Sequence, residues 1–538
     1  MGLDYAKTIE KWDVLEATIS GPNEGNPFCD QWIKGTFCCK NEKKTVDGFY
    51  DGDGIYKVRF MPSFTDEYTF EIEASFDINA GEDVPDKEVP EYKLGTADGG
   101  KAAEKCAVRN ILTGIFTVIP PSADNHGPVR VAGTYYLVYE DGTPYHCIGT
   151  TCYVWNLQNE ELQKQTLKTL EENAFNKIRF CIFPKHYDYN LHEPITYPYE
   201  GTPCDSTVLN ENNFAEYNGC APGNDWDFTR FNPAHFQHIE KCIQALMNLG
   251  IEADLIVMHP YDRWGFSMMK AEDDDRYWKY VLARFSAYRN VWWSLANEYD
   301  LMHEKTLSDW ERYAGIICEK DPYHHLRSIH NCKAYYDYNL PWITHCSIQR
   351  TETYRSSELV NEWREKYHKP VVLDEICYEG NIQFGWGNIS GEEMTRRFWE
   401  AFCRGGYPGH GETYLSPDRI LWWSHGGVLH GTSPERIRFL AKIMEETPGL
   451  GVEPMPCKWD EVACRAAGFP ARKDYFIYYY SFMRPGFRDF YFDDTTEYQV
   501  EIIDTWEMTV TDGGIHKGKF RVKLPGKEYM AVRLQIAK

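Results

Sequence analysis

The chain has 538 residues, too many for one hydrophobic core, and three domains is the natural expectation. Its formal net charge of −24 argues against DNA, RNA or an anionic membrane as main partner, because phosphate recognition needs clustered Lys and Arg. Aromatic residues make up 15%, enough either for large cores and sheet faces or for rings that stack on sugars.

The opening MGLDYAKTIEKWDVLEATI has no basic region followed by an apolar run, so no secretory signal is expected. No stretch approaches the roughly 18 apolar residues of a membrane span. The 17 cysteines are scattered without a repeated spacing, and several sit in apolar runs, such as Cys181 in IRFCIFP and Cys377 in DEICYEG. The adjacent pair Cys38–Cys39 is not a redox CxxC. This usage predicts free, mostly buried thiols and a cytoplasmic location.

Residues 1–125 read as an antiparallel β-sandwich. DGIYKVRFMP and EYTFEIEASF alternate in places, Asp51–Gly54 is a turn, and AVRNILTGIFTVIP is a further strand pair. No exposed aromatic set is recognisable by spacing, so this module is expected to brace its neighbour rather than bind carbohydrate. From 126 to 445 the rhythm becomes strand–helix. After a hairpin with an Asp141–Gly142 turn come a strand at His146–Thr150, a helix, and a strand at Lys177–Phe183. In the next unit Phe236, Ile239, Ile243 and Leu246 share one helix face, Gly250 stops the helix, and Ile251–Met258 is a strand. Then come Val291–Ala296, LRSIHNC, WITHCSIQ, VVLDE and a strand near PGHGETY. Eight strands alternating with helices predict an α/β fold, a (β/α)8 TIM barrel. A doubly wound open sheet is the rival, but no GxGxxG or GxxxxGK[ST] follows an early strand. The Tyr-, Asn-, Pro- and Gly-rich stretch 187–228 is longer than joining requires and is expected to line the substrate site. Residues 446–538 return to short strands, a small closing β-sandwich.

Two strand ends carry the chemistry. The buried run Val291–Ala296 finishes in Asn297, Glu298, Tyr299 and Asp300, and Val371–Leu373 delivers Asp374 and Glu375. Two glutamates from different strands over one barrel mouth suit glycosidic bond cleavage. Strand alternation points Asp374 away from whatever Glu375 faces, toward neighbouring helices or loops. Arg179, a charge in an apolar strand, either orients a carboxylate or forms a structural ion pair. His259, His330 with Asn331, and His345 follow strand ends; each either bonds a sugar hydroxyl or active carboxylate, or is a satisfied packing residue. His410, Glu412, Trp422 and Trp423 surround the last strand, where one Trp can floor a sugar site. Tyr299, Asp300, Trp264 and Trp386 are candidate rim residues. There is no HExxH and no compact His/Asp run, so neither metal nor organic cofactor is expected, and no GxSxG elbow offers a serine nucleophile.

The glutamates at strand ends four and seven resemble clan A of the retaining glycoside hydrolases. The layout is similar to glycoside hydrolases that place a β domain before, and a small β domain after, an apiosidase-like barrel. That resemblance implies Glu298 as general acid/base, Glu375 as nucleophile and Asn297 as holder of the sugar 2-hydroxyl. The function it implies is a retaining β-glycosidase on an oligosaccharide or glycoside. A cytoplasmic location would restrict it to short substrates and exo-action. An endo-acting glycanase, or a barrel that binds carbohydrate without turnover, is the alternative. The sequence leaves self-association into a homo-oligomer open.

Overall fold

The computed structural model describes residues 3–78, 110–186, 189, 194–204, 221–418, 420–457 and 461–537. At its centre eight parallel strands form a ring: β1 (Gly149–Thr151), β2 (Lys177–Cys181), β3 (Glu252–Met258), β4 (Val291–Ala296), β5 (Arg327–Ser328), β6 (Cys346–Gln349), β7 (Val371–Glu375) and β8 (Tyr407–His410). Their hydrogen-bonded order runs β5-β4-β3-β2-β1-β8-β7-β6. A single parallel bridge from His330 to Ser347 joins the ends. Every residue of β3, β4 and β7 is buried, which is why these strands are mostly apolar and do not alternate, the acids of β3 and β7 being buried as well.

Helices wrap the ring: α1 (Glu160–Glu171), α2 (Pro233–Asn248), α3 (Ala271–Phe285), α4 (Leu307–Lys320), α5 (Val360–Tyr367), α6 (Gly391–Cys403) and α7 (Ser433–Glu445). In α2, Asn232 caps the first turn, Pro233 starts it, and Gly250 at φ 69° ends the unit by bonding back to Met247. Phe236, Ile239, Ile243 and Leu246 are all buried, the face read from the sequence. Among the described residues no helix separates β5 from β6. Their connection is held by Tyr338, whose hydroxyl donates to the carbonyls of Ile329 and Ser347.

The N-terminal part packs a four-stranded sheet on a five-stranded one around Phe37, Phe60, Tyr68, Phe70 and Phe116. Phe37 and Phe60 stack at 4.2 Å. The sandwich is bolted to the barrel by a buried ionic cluster. Arg59 grips both oxygens of Glu240 on α2, at 2.6 and 2.9 Å, and Arg284 on α3 reaches Glu240 at 2.6 Å and Asp51 at 2.7 Å. The C-terminal part is a six-stranded sheet with a two-stranded partner, packed on α6 where Trp399 stacks on Tyr479. This is a TIM barrel flanked by β-sandwiches. The cysteines among the described residues are free. Among them, too, no helix is long and apolar enough to cross a membrane.

Candidate active site

At the C-terminal mouth of the ring a cavity of about 260 Å³ is lined by Tyr153, Lys185, Tyr261, Glu298, Gln349 and Glu375, with Tyr378, Trp386 and Trp423 as its aromatic wall. Glu298 follows β4 in the left-handed region, at φ 53°. Such a backbone costs a non-glycine residue of the order of 1–3 kcal/mol and is held only where the surroundings over-determine it. Here Asn297 bonds back to Met258, Tyr299 bonds to the His330 carbonyl, and the Glu298 N–H faces His330 Nδ1 at 3.4 Å. Its carboxylate accepts from the Tyr261 hydroxyl and, at 2.9 Å, from Gln349 Nε2.

Glu375 ends β7. Its Oε1 accepts from the Tyr153 hydroxyl and lies 3.7 Å from Arg179 and 3.9 Å from His330 Nε2. Burial and the charge of Glu298 push the Glu375 carboxyl up to about 7, against the opposing pull of Arg179, Tyr153 and Lys185. Arg179 is wholly buried and also donates to Asn297 Oδ1 at 3.3 Å; the Tyr153 hydroxyl oxygen, whose hydrogen goes to Glu375, lies 3.2 Å from the same atom. The amide Nδ2 of Asn297 is buried with no hydrogen-bond partner among the described residues.

Asp374 corrects the expectation from alternation. It points into the ring, pairs with Lys177 at 2.7 Å, and receives the Ser347 hydroxyl. Lys177 reaches Asp254 at the same distance, so an ionic layer lies beneath the cavity. The reason is a register slip between β6 and β7. Ser347 faces Val372 but Gln349 faces Glu375, and the extra residue in β7 turns both acids inward.

The other candidates divide. His330 stands between the two glutamates, and burial followed by the charge of Arg179 pushes its pKa well below the usual value, so the ring is neutral. His259 does not line the cavity; its ring faces Tyr261 at 6.5 Å and is bonded to the Phe183 carbonyl at 3.3 Å. His345 is a packing residue, edge-on to Trp292 and bonded to Thr344. Tyr299 turns outward to pack on Tyr336 and Trp310. Asp300 caps the β5 loop, accepting backbone N–H groups from Cys332, Lys333 and Ala334. Asn331 ties the same loop to Gln349. Trp264 is buried away from the cavity. His410 stacks on Phe175, and Trp422 donates to Thr150, so neither lines the cavity. Glu412 is bound by backbone N–H groups, and burial pushes its carboxyl up to about 8. Trp423, the neighbour of Trp422, takes the wall position instead.

Tyr153, Lys185, Tyr261 and Gln349 escaped the sequence reading. Each sits at or just beyond the end of β1, β2, β3 or β6, and that position was the one signal available. The ammonium of Lys185 is enclosed by the rings of Tyr153, Trp423 and Tyr261 at 3.8, 4.3 and 4.4 Å, and burial pushes its pKa down to about 8. Tyr378 fits because residue 411 is glycine, where a Cβ would come within 1.9 Å of its ring. Of the 187–228 stretch, 187, 188, 190–193 and 205–220 lie outside the described residues; the remainder includes a hairpin of Tyr199–Thr202 with Asp225–Phe231.

Residues 132–446 match the apiosidase-like catalytic domain family. Residues 8–75 and 459–535 match two domains of unknown function, DUF5060 and DUF5605. Among solved structures, a candidate glycoside hydrolase from Bacteroides vulgatus shares 36% identity, with a TM-score of 0.86 over 99% of this chain and 100% of its own. A family 5 glycoside hydrolase from the same species, at 15% identity, covers 76% of this chain and 94% of its own with a TM-score of 0.57. Another glycoside hydrolase, at 16% identity, covers 77% and 97% with a TM-score of 0.55. These last two share the fold alone. No curated protein matches the chain.

Proposed function

The chain belongs to the apiosidase-like family of glycoside hydrolases, and from that premise we propose that it is a retaining β-glycosidase working through a covalent glycosyl-enzyme. The observation that carries this is the pairing of Glu298 and Glu375 in one small cavity, each braced by its own tyrosine. In the first step Glu298 gives its proton to the glycosidic oxygen while Glu375 attacks the anomeric carbon. In the second, Glu298 takes a proton from water, whose oxygen displaces Glu375 and leaves the sugar with its original configuration. Glu375 Oε1 is occupied by Tyr153 and faces Arg179 and His330, so Oε2 is the attacking oxygen.

Glu375 faces the Arg179 guanidinium at 3.7 Å, a charge that favours the ionised form a nucleophile needs. Asn297, oriented by Arg179, has a free amide to offer the sugar 2-hydroxyl.

A volume of about 260 Å³ is below the roughly 300–1,000 Å³ of drug-sized ligand sites, which favours one terminal sugar and exo-action on short oligosaccharides. The test is a panel of aryl glycosides of both anomers with natural disaccharides, followed by NMR of the first anomer released. Retained β-product is expected. An inverted product overturns the mechanism, and early release of internal fragments from a labelled tetrasaccharide overturns exo-action in favour of an endo-glycanase.

A further inference from the structure

Outside the cavity, beyond the ends of β7 and β8, three buried side chains converge. Glu379 and Glu412 are neighbours across the two-residue parallel strands Glu379–Gly380 and Glu412–Thr413, and His410 ends β8. One donor atom from each lies within 4.8 Å of the others, and none of the three residues is more than 1% exposed.

Two carboxylates are brought together here by the turn that enters α7. The N–H groups of His430 and Gly431 bond the two oxygens of Glu412 at 2.5 and 2.8 Å, and those of Thr432 and Ser433 bond Glu379 at 2.7 and 3.0 Å. Glu379 Oε1 also accepts from the Tyr414 and Thr432 hydroxyls, each at 3.2 Å, so Oε2, bonded by the Ser433 N–H, is its oxygen open to an ion, as is Glu412 Oε2, bonded by the Gly431 N–H. Both oxygens flank the same point, since a Cβ on Gly431 would lie 2.5 Å from Glu379 Oε2 and 2.7 Å from Glu412 Oε2. The imidazole supplies the independent observation. His410 Nδ1 is turned to Thr150 at 3.1 Å, which leaves Nε2 buried with no hydrogen-bond partner among the described residues.

Two carboxylates in a dry site repel unless a proton or a cation lies between them. We propose that Glu379, His410 and Glu412 hold a divalent cation, and that the donor set of one imidazole and two carboxylates selects zinc over calcium or magnesium. Bonds of about 2.0–2.2 Å place tetrahedral ligands roughly 3.3 Å apart, so the donors close by up to about 1.5 Å, a movement that rotation of the two glutamates supplies. The ion touches neither Glu298 nor Glu375. It staples the extensions of β7 and β8 to the start of α7 and so fixes Tyr378, which precedes Glu379 and lines the cavity. The expectation of no metal rested on motif spacing; His410 and Glu412 stand two residues apart beyond β8, but the third ligand, Glu379, comes from beyond β7.

The test uses the full chain, purified without a metal-affinity step. About one equivalent of zinc by elemental analysis is expected, with X-ray absorption showing N and O donors and no sulfur. After chelation, added zinc is expected to raise Tm by on the order of 5 °C, a response lost in both His410→Ala and Glu412→Gln. No thermal response of the chelated wild type to zinc, manganese or calcium overturns the proposal and assigns a shared proton to the glutamate pair. Sulfur ligation, or a response kept in both variants, places the ion elsewhere in the chain and also overturns it.

Discussion

His330 Nε2 lies 3.9 Å from Glu375 Oε1, while Nδ1 of the same ring faces the backbone N–H of Glu298 at 3.4 Å. Nδ1 therefore accepts and Nε2 carries the hydrogen, so a neutral imidazole presents a donor to the proposed nucleophile. Replacing His330 with Ala is expected to lower kcat by less than the roughly 10²-fold of a lost preorganised donor, since 3.9 Å is too long for a hydrogen bond, and His330→Gln to recover part of it. Equal losses in the two variants would show that the ring acts by packing alone.

The roles of the two glutamates separate by rescue. Glu375→Ala is expected to lose at least about 10³-fold in kcat and to regain turnover of a dinitrophenyl glycoside with azide, releasing an inverted glycosyl azide. Glu298→Ala keeps glycosylation by that good leaving group far better than by a disaccharide, and its azide product is retained. NMR of the two azides decides the assignment, and a retained azide from Glu375→Ala reverses it.

A nucleophile must be ionised, and the Glu375 carboxyl is pushed up to about 7. Activity is therefore expected to fall as pH drops, with the acid limb of kcat/KM above the ordinary 4.5, because burial raises Glu375 even while the proposed acid/base holds its proton and exerts no charge. The Tyr153 hydroxyl favours the ionised form, so Tyr153→Phe moves that limb to higher pH. A limb unmoved by the substitution would remove Tyr153 from the titration.

Glu252 opens β3 fully buried, accepting from Trp292 Nε1 at 2.8 Å, and burial pushes its carboxyl from 4.5 up to about 8. Between those values the folded chain keeps a proton that the unfolded chain has released, so this group makes stability fall as pH rises through the window. Glu252→Gln keeps the acceptor and removes the titration. Denaturation midpoints across pH 4.5–8 are expected to decline less steeply in the variant.

The ionic bolt between sandwich and barrel is a stability test. Glu240→Ala strands Arg59 and Arg284 without their shared carboxylate, and about 3–5 kcal/mol is expected to be lost. Chemical denaturation checks this. A loss below about 1 kcal/mol would mean that the guanidinium groups find other partners.

Much of the layout was legible because burial leaves a trace in composition. A strand covered on both faces is mostly apolar, so Val291–Ala296 and Val371–Leu373 stood out, and the polar residues that ended them marked the barrel mouth. That reading reached Glu298, Glu375, Asn297 and Arg179. The helix face of α2 was legible for the same reason, since its period of 3.6 survives in the order of residues alone.

Direction beyond a strand end was decided only in three dimensions. Asp374 faces inward because β7 carries one residue more than its partner, and register belongs to two strands at once. Trp423 lines the cavity while Trp422 does not, because successive residues of the short helix Trp422–His425 point about 100° apart. Glu412 lies away from the cavity because the N–H groups before α7 bind its carboxylate, and His410 because its ring turns to Thr150 and stacks on Phe175. Tyr153, Lys185, Tyr261 and Gln349 converge from four separate strand ends. Local sequence determines which segments are buried and where they stop, since each residue's own hydrophobicity sets that cost. Which side chains then meet depends on ring closure and register, and those are properties of contacts between residues remote in the chain.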